Sequence, residues 1–238
     1  MSAGRIACSS PVDRLLELTY QAEQSHFWFR GFRQYMRLSL ARATAGVSSP
    51  RILDCGCGTG SNLEMLRPFG DAFGFDLSAV GTVFAKAHGH RVARANMAVM
   101  PFKDATFDLV TSFDVFQVIP DVIEQAAILE MQRVLKPGGR LLLHVAALEI
   151  LHGKHSVLSE EKRRYTPASL RSLVESAGFR IERMTFDHLE VGVFFAHARI
   201  VELGRILRVS AEEDERFVEL GRFCVARDPV GASDAVRL

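Results

Sequence analysis

The stretch Ile52-Leu53-Asp54-Cys55-Gly56-Cys57-Gly58-Thr59-Gly60 constrains this chain more than any other. An apolar pair leads into an acid, glycine recurs at alternate positions, and an amphipathic segment follows at once. The pattern predicts a strand running into a tight turn and then a helix, with the turn at a point where backbone must approach a ligand. Glycine suits such a turn because it adopts positive φ freely and has no Cβ to hold a ligand away. The helix start adds N–H groups with no partner of their own. A dinucleotide fingerprint would need glycine at Ser61, and a phosphate-binding Walker loop would end in Gly-Lys-Ser/Thr. The sequence has neither.

A second apolar run, Ala72 to Phe75, ends in Asp76, roughly twenty residues beyond the turn, where a doubly wound fold places the acceptor for ribose hydroxyls. Asp76 also suits a helix N-cap, and the two roles are compatible. Further on come Asn96-Met97, Met100-Pro101-Phe102 and Thr106-Phe107-Asp108-Leu109-Val110, then Arg133-Val134-Leu135-Lys136-Pro137-Gly138-Gly139 before a strand from Arg140. Proline and paired glycines stop a helix and reverse the chain. Together, in order and spacing over about residues 50 to 145, these blocks resemble the class I S-adenosylmethionine-dependent methyltransferases.

The resemblance implies S-adenosyl-L-methionine as cofactor and S-adenosyl-L-homocysteine as product. Its cofactor site would comprise Asp54, Gly56, Cys57, Gly58 and Gly60, then Asp76 and Leu77, Asn96 and Met97, and Phe113. Asn96 stands where the family usually has an acid facing the adenine amino group, and an asparagine carbonyl can accept that bond. The amide-methylating signature (Asn/Asp-Pro-Pro-Tyr/Phe) is missing after the fourth strand, which lowers the case for base or glutamine N-methylation.

With 238 residues, 48% of them hydrophobic, the chain suits a single α/β domain with a full core. Strand patterns at about 51–54, 72–76, 91–95, 107–113, 139–146, 179–187 and 220–226 alternate with helical ones. The expected fold is a Rossmann-like, seven-stranded, mostly parallel sheet with a closing antiparallel hairpin and helices on both faces. Residues 1–48 would form a helical cap, 49–188 the cofactor-binding core, 189–209 a helical insertion, and 210–238 the last strand and tail. A net charge of +1 supplies no field for nucleic acid or anionic membrane, and no apolar run reaches spanning length. The start lacks the order of a signal peptide, so the cytoplasm is the expected location. Four cysteines without a second close pair or histidines at ligand spacing predict no metal site. A monomer or homodimer is expected.

Ligands of open α/β sheets bind beyond the carboxyl ends of the strands, so the N-terminal helices and the segments after the fourth and fifth strands should frame the acceptor. The N-terminal segment His26-Phe27-Trp28-Phe29-Arg30 resembles an HxWFR block of a bacterial methyltransferase subgroup. His26 and Trp28 would face the substrate and Arg30 the cofactor carboxylate; the alternative is an aromatic patch that packs the cap onto the sheet. After the fourth strand, Gln117 and Val118 replace the family's usual Glu-His pair, which predicts an apolar acceptor surface. After the fifth strand, His152 and His155 are the candidate general bases, or serve only to hold their loop, and Tyr165 is a candidate for the acceptor pocket. His144 reads as a core residue, and His88 and His90 as solvent-facing caps of a helix end. Methyl transfer to a small-molecule acceptor is the leading function. The alternatives are a non-methylating role for the bound cofactor, as in a cyclase or regulator, and methylation of protein or RNA.

Overall fold

The computed structural model describes residues 20, 23, 26–147, 160–185 and 222–227, with backbone alone for the last six and for Phe27 and Trp28. His152 and His155, the insertion at 189–209 and the tail lie outside the described residues.

Five strands, β1 (Arg51–Cys55), β2 (Asp71–Asp76), β3 (Val92–Arg94), β4 (Phe107–Phe113) and β5 (Leu135–Val145), lie side by side in the order β3-β2-β1-β4-β5. Every pair is parallel. Parallel strands are covered on both faces, so they read as continuous apolar runs. Ile52, Leu53, Leu109, Val110 and Leu141 to Leu143 are accordingly buried without exception.

Successive strand residues point to opposite faces, and two cores result. On one face Ile52, Leu109 and Leu142 meet Met36 and Leu40 of α1 (Phe27–Ala43) and Leu63 and Leu66 of α2 (Ser61–Leu66). On the other, Leu53, Val110 and Leu143 meet Ile128 and Met131 of α4 (Asp121–Val134) and Leu170 and Val174 of α5 (Pro167–Ser176). Between β2 and β3 runs α3 (Ala79–Ala87). A further strand, β6 (Arg180–Thr185), follows α5.

β5 begins earlier than the glycine pair suggests. Leu135 already pairs with Phe107, the register then shifts, and pairing resumes at Arg140 opposite Leu109. Pro137 and Gly138 thus form a bulge within the strand, Gly138 taking a φ of 76°, instead of a turn before it.

The chain moves outward from β1 through β2 to β3, then returns to place β4 on the other side of β1. That reversal opens a crevice at the carboxyl ends of β1 and β4, where ligands of this architecture bind.

Candidate functional site

The glycine turn leaves β1 at the crevice with Gly56, Gly58 and Gly60 at φ of 81°, 51° and 89°. Positive φ explains glycine at each position, and close approach adds a second reason at two of them. A Cβ on Gly56 would overlap the Val115 side chain, and one on Gly60 would lie 2.9 Å from the Ala85 Cβ and 2.8 Å from the His90 ring. Gly81 of α3 has the same function in reverse: a Cβ there would meet the Gly58 carbonyl oxygen at 2.8 Å.

Asp76 holds this turn in shape. One of its carboxylate oxygens accepts from the Gly58 N–H at 2.8 Å and the other from the Ser78 N–H at 2.8 Å. Ser78, not Asp76, is the N-cap of α3, accepting from the Gly81 N–H at 3.1 Å. Each carboxylate oxygen has two acceptor positions, so fixing the turn is compatible with binding hydroxyls.

Asp54 lies deeper, 1% exposed at the end of β1. Its Oδ1 accepts from the Thr111 hydroxyl at 2.7 Å, while Oδ2 is buried with no hydrogen-bond partner. Burial pushes its carboxyl up to about 7, the Thr111 bond opposing and the nearby Asp76 charge adding to the shift. An unpartnered buried carboxylate oxygen is costly, and a cationic ligand group would satisfy it. Cys55 and Cys57 are free, buried thiols pushed far up by burial, which makes them inert wall residues of the turn.

Beyond β2 and β3 the surface is apolar and open. Leu77 is 62% exposed and Val99 75%. They flank neighbouring strand ends, since Asp76 is in register with Arg94 and the Ala95 N–H donates to the Asp76 carbonyl at 3.0 Å. Asn96 opens the next turn, its side-chain oxygen accepting from the Ala98 N–H at 2.9 Å, and Met97 is buried in the core beside it.

Among the described residues, Arg33 and Glu23 link the N-terminal segment to this site. Arg30 is exposed and lines an open groove with Arg33, Arg37 and Glu64. Arg33, three residues on, donates to the Ser61 hydroxyl at the start of α2 and to the Glu23 carbonyl, both at 3.0 Å. The buried Glu23 carboxylate accepts from the Thr59 hydroxyl at 2.5 Å. Burial pushes the Glu23 carboxyl up, against the lowering effects of Thr59 and Arg33. Glu23 is thereby tied directly to the glycine turn. His26 is exposed and lies edge-on to Phe29 at 6.2 Å, and the Trp28 side chain lies outside the description.

Across the crevice, Phe113 is 5% exposed, its ring edge-on to Phe32 of α1 at 5.5 Å. Phe32 also contacts the His144 ring at 5.1 Å. Gln117, expected to face the acceptor, is buried; its amide donates to Asp114 at 3.3 Å and its oxygen accepts from the Ala146 N–H at 3.4 Å. Tyr165 is buried too, its hydroxyl donating to the Phe116 carbonyl and to Glu124. Both residues brace the loops after β4 and β5. They are internal because residues 160–165 pack against the loop after β4: the Lys162 N–H donates to the Gln117 carbonyl at 2.7 Å and the Tyr165 N–H to the Ala146 carbonyl at 2.8 Å. His90 also differs from a solvent-facing cap: its side chain is 4% exposed, against Gly60 and 3.4 Å from Glu64, and burial lowers its basicity. His88 does cap the end of α3, through the Phe84 carbonyl at 2.9 Å.

Sheet order, crevice and turn define a doubly wound domain built for a nucleoside-bearing ligand. Residues 53–143 match the model of a methyltransferase domain. The chain is 31% identical over 183 residues to a malonyl-[acyl-carrier protein] O-methyltransferase of Herminiimonas arsenicoxydans, covering 71% of this chain and 69% of that protein. It is 38% identical over 108 residues to a demethylmenaquinone methyltransferase of Lactiplantibacillus plantarum, covering 40% and 45%. The chain spans between about half and two thirds of the length of the curated relatives it matches. In fold it resembles a chain from the complex of the Haloferax volcanii Trm112 methyltransferase activator with a methyltransferase, at a TM-score of 0.69, 20% identity and coverage of 94% and 100%. The chain belongs to the class I S-adenosylmethionine-dependent methyltransferases. It is an enzyme, and S-adenosylmethionine is its cofactor.

Proposed function

We propose that this enzyme methylates a small-molecule acceptor by in-line displacement, with the two halves of the crevice holding donor and acceptor. The carrying observation is Asp54, a buried carboxylate with one oxygen unpartnered beside a glycine turn. Asp54, Gly56, Cys57, Gly58 and Gly60 seat the amino-acid end of the cofactor, with its ammonium directed to Asp54 Oδ2. Asp76 accepts from the ribose hydroxyls and Leu77 lies beside the sugar. Asn96 and the Met97 backbone face the adenine, and the exposed Leu77 and Val99 give its ring an apolar seat. When bound, the cofactor supplies an electrophilic methyl group on a sulfonium. Everything the protein adds is position, exclusion of water and charge.

The N-terminal cap is part of this site in our reading. Arg33 and Glu23 tie it to the turn, while Phe32 packs it over Phe113 and His144. The sheet is completed by the antiparallel hairpin expected from the sequence. This is supported by the Arg222–Arg227 backbone, which runs antiparallel to β5 with Val225 opposite Leu142, and to β6 with Cys224 opposite Met184. The chain from 1 to 238 is then one domain, including the insertion and tail.

One observation favours a second acceptor class, a carboxyl group carried on an acidic protein. Arg30, Arg33 and Arg37 line an open groove of about 360 Å³ on α1, and the relative from Herminiimonas arsenicoxydans is named for an acyl-carrier protein substrate. The deciding experiment incubates the protein with methyl-deuterated S-adenosylmethionine and a cell extract, then separates metabolites from protein. We expect a low-molecular-weight product carrying the label and an equal amount of S-adenosylhomocysteine. Label found only on protein favours the carrier reading. Tight S-adenosylhomocysteine binding with no labelled product from either source would support a non-methylating role.

A further inference from the structure

The carboxyl end of β4 carries an aspartate–histidine pair that neither the glycine motif nor the cofactor site uses. Asp114 follows the last residue of β4 with a φ of 58°, a strained conformation that aspartate and asparagine tolerate better than most residues. Its backbone N–H donates to the His144 carbonyl at 3.0 Å, so the strain is fixed by pairing with β5. Its Oδ1 pairs with His144 Nδ1 at 2.8 Å and accepts from the Gln117 amide at 3.3 Å. The His144 side chain is fully buried, whereas that of Asp114 keeps 29% of its surface exposed. Among the described residues no bond reaches Oδ2. The next residue, Val115, packs on Gly56 of the glycine turn, so this carboxylate stands at the rim of the same crevice.

A carboxylate held through one oxygen, with the other left to accept a further bond, can take an N–H from a neutral amine and stabilise positive charge as it develops there. We propose that Asp114 is the acceptor-binding carboxylate of this enzyme and that the acceptor is an amine. The proposal rests on the methyltransferase reading above and supplies its substrate class.

The amine nitrogen, held by an N–H bond to Asp114 Oδ2, uses its lone pair to form the new N–C bond. The C–S bond breaks with its electron pair remaining on sulfur, and the positive charge passes from sulfur to nitrogen. A fixed anion beside that nitrogen is worth more as charge develops than before it, which is the condition for lowering a barrier. The methylated ammonium then loses its surplus proton to solvent. Atoms and charge balance with no further reactant. A carboxylate acceptor would meet like charge at the same oxygen, so Asp114 selects against it. His144 acts through Asp114 as a positioning residue, and Phe32 closes over its ring.

The experiment locates the label in the product from the deuterated-methyl incubation and then compares wild type with Asp114→Asn. Asparagine tolerates the positive φ, and calorimetry should find its S-adenosylhomocysteine affinity unchanged, which keeps folding and cofactor binding out of the comparison. We expect label on nitrogen. Asp114→Asn should bind the identified amine at least about tenfold more weakly in the S-adenosylhomocysteine complex and lose at least about 100-fold in kcat/KM. Asp114→Glu should recover part of both. Label on oxygen or carbon, or an Asp114→Asn protein with normal amine binding, overturns the proposal and leaves the methyltransferase reading standing. A wild-type protein that fails to bind S-adenosylhomocysteine overturns the cofactor site on which both depend.

Discussion

The two sides of the crevice are built in different ways. On the side of β1, β2 and β3, contacts come from short stretches of backbone: three glycines in one turn, Asp76 bonded to Gly58 and Ser78, and Asn96 in a turn of its own. On the side of β4 and β5, contacts come from side chains that meet across the fold. Phe32, Phe113, Asp114 and His144 belong to α1, β4, the loop after it, and β5. The first construction fixes a ligand common to a family, because backbone geometry changes little when side chains do. The second can be altered one residue at a time, so it is where acceptor choice can vary without disturbing the cofactor.

The largest way to break this contrast is Gly56→Ala. The new Cβ meets Val115, and the φ of 81° becomes strained. Strain of this kind costs about 1–3 kcal/mol, so melting should fall by roughly 2–12 °C for a domain of this size, with cofactor binding lost. Adding Val115→Ala should restore part of the stability and little of the binding. Full recovery would mean that packing, not backbone conformation, sets the turn.

Asp76→Ala comes next. Losing charge-assisted bonds worth on the order of 1.5–3 kcal/mol should weaken S-adenosylhomocysteine by about tenfold or more, through the ligand and through the freed Gly58 N–H. Unchanged affinity in a folded protein would remove Asp76 from the site.

A smaller effect separates the cap's two arginines. Arg33→Ala should weaken the cofactor by a few-fold, in keeping with the loss of neutral-acceptor bonds of roughly 1 kcal/mol, because the link from α1 to Ser61 is gone. Arg30→Ala, whose side chain lines the open groove, should leave that affinity as it is. The reverse result would move the groove into the cofactor site.

Legibility followed the same division. The glycine turn, Asp54, Asp76 and the bounds of β1, β2 and β4 are readable because their residue types stand together in short stretches of sequence. Glu23 with Thr59, 36 residues apart, and Asp114 with His144, 30 apart, become partners only once the sheet is assembled. The Gln117-Val118 replacement points to an apolar acceptor surface, and our proposal adds a charge to it three residues earlier, at Asp114, beside a histidine that reads as core. Gln117 and Tyr165 read as pocket residues from their position in loops, but their side chains are turned inward to the Ala146 N–H and the Phe116 carbonyl. Arg33 was overlooked beside the denser aromatic block at 26–30, although it lies one helical turn from Arg30.

In the proposed site Asp54 receives the cofactor's ammonium. Burial raises this carboxyl from 3.8 to about 7 in the folded protein. Its contribution to stability is therefore full below the ordinary carboxylate range and is lost as pH rises through about 7. Binding a cation reverses that preference and expels the proton. Calorimetry of S-adenosylhomocysteine binding in two buffers of different ionisation enthalpy reads this directly. Close to one proton should be released per ligand at pH 6, falling toward none at pH 8, with release abolished in Asp54→Asn. Equal proton release at both values, or release that survives Asp54→Asn, would contradict this role of Asp54.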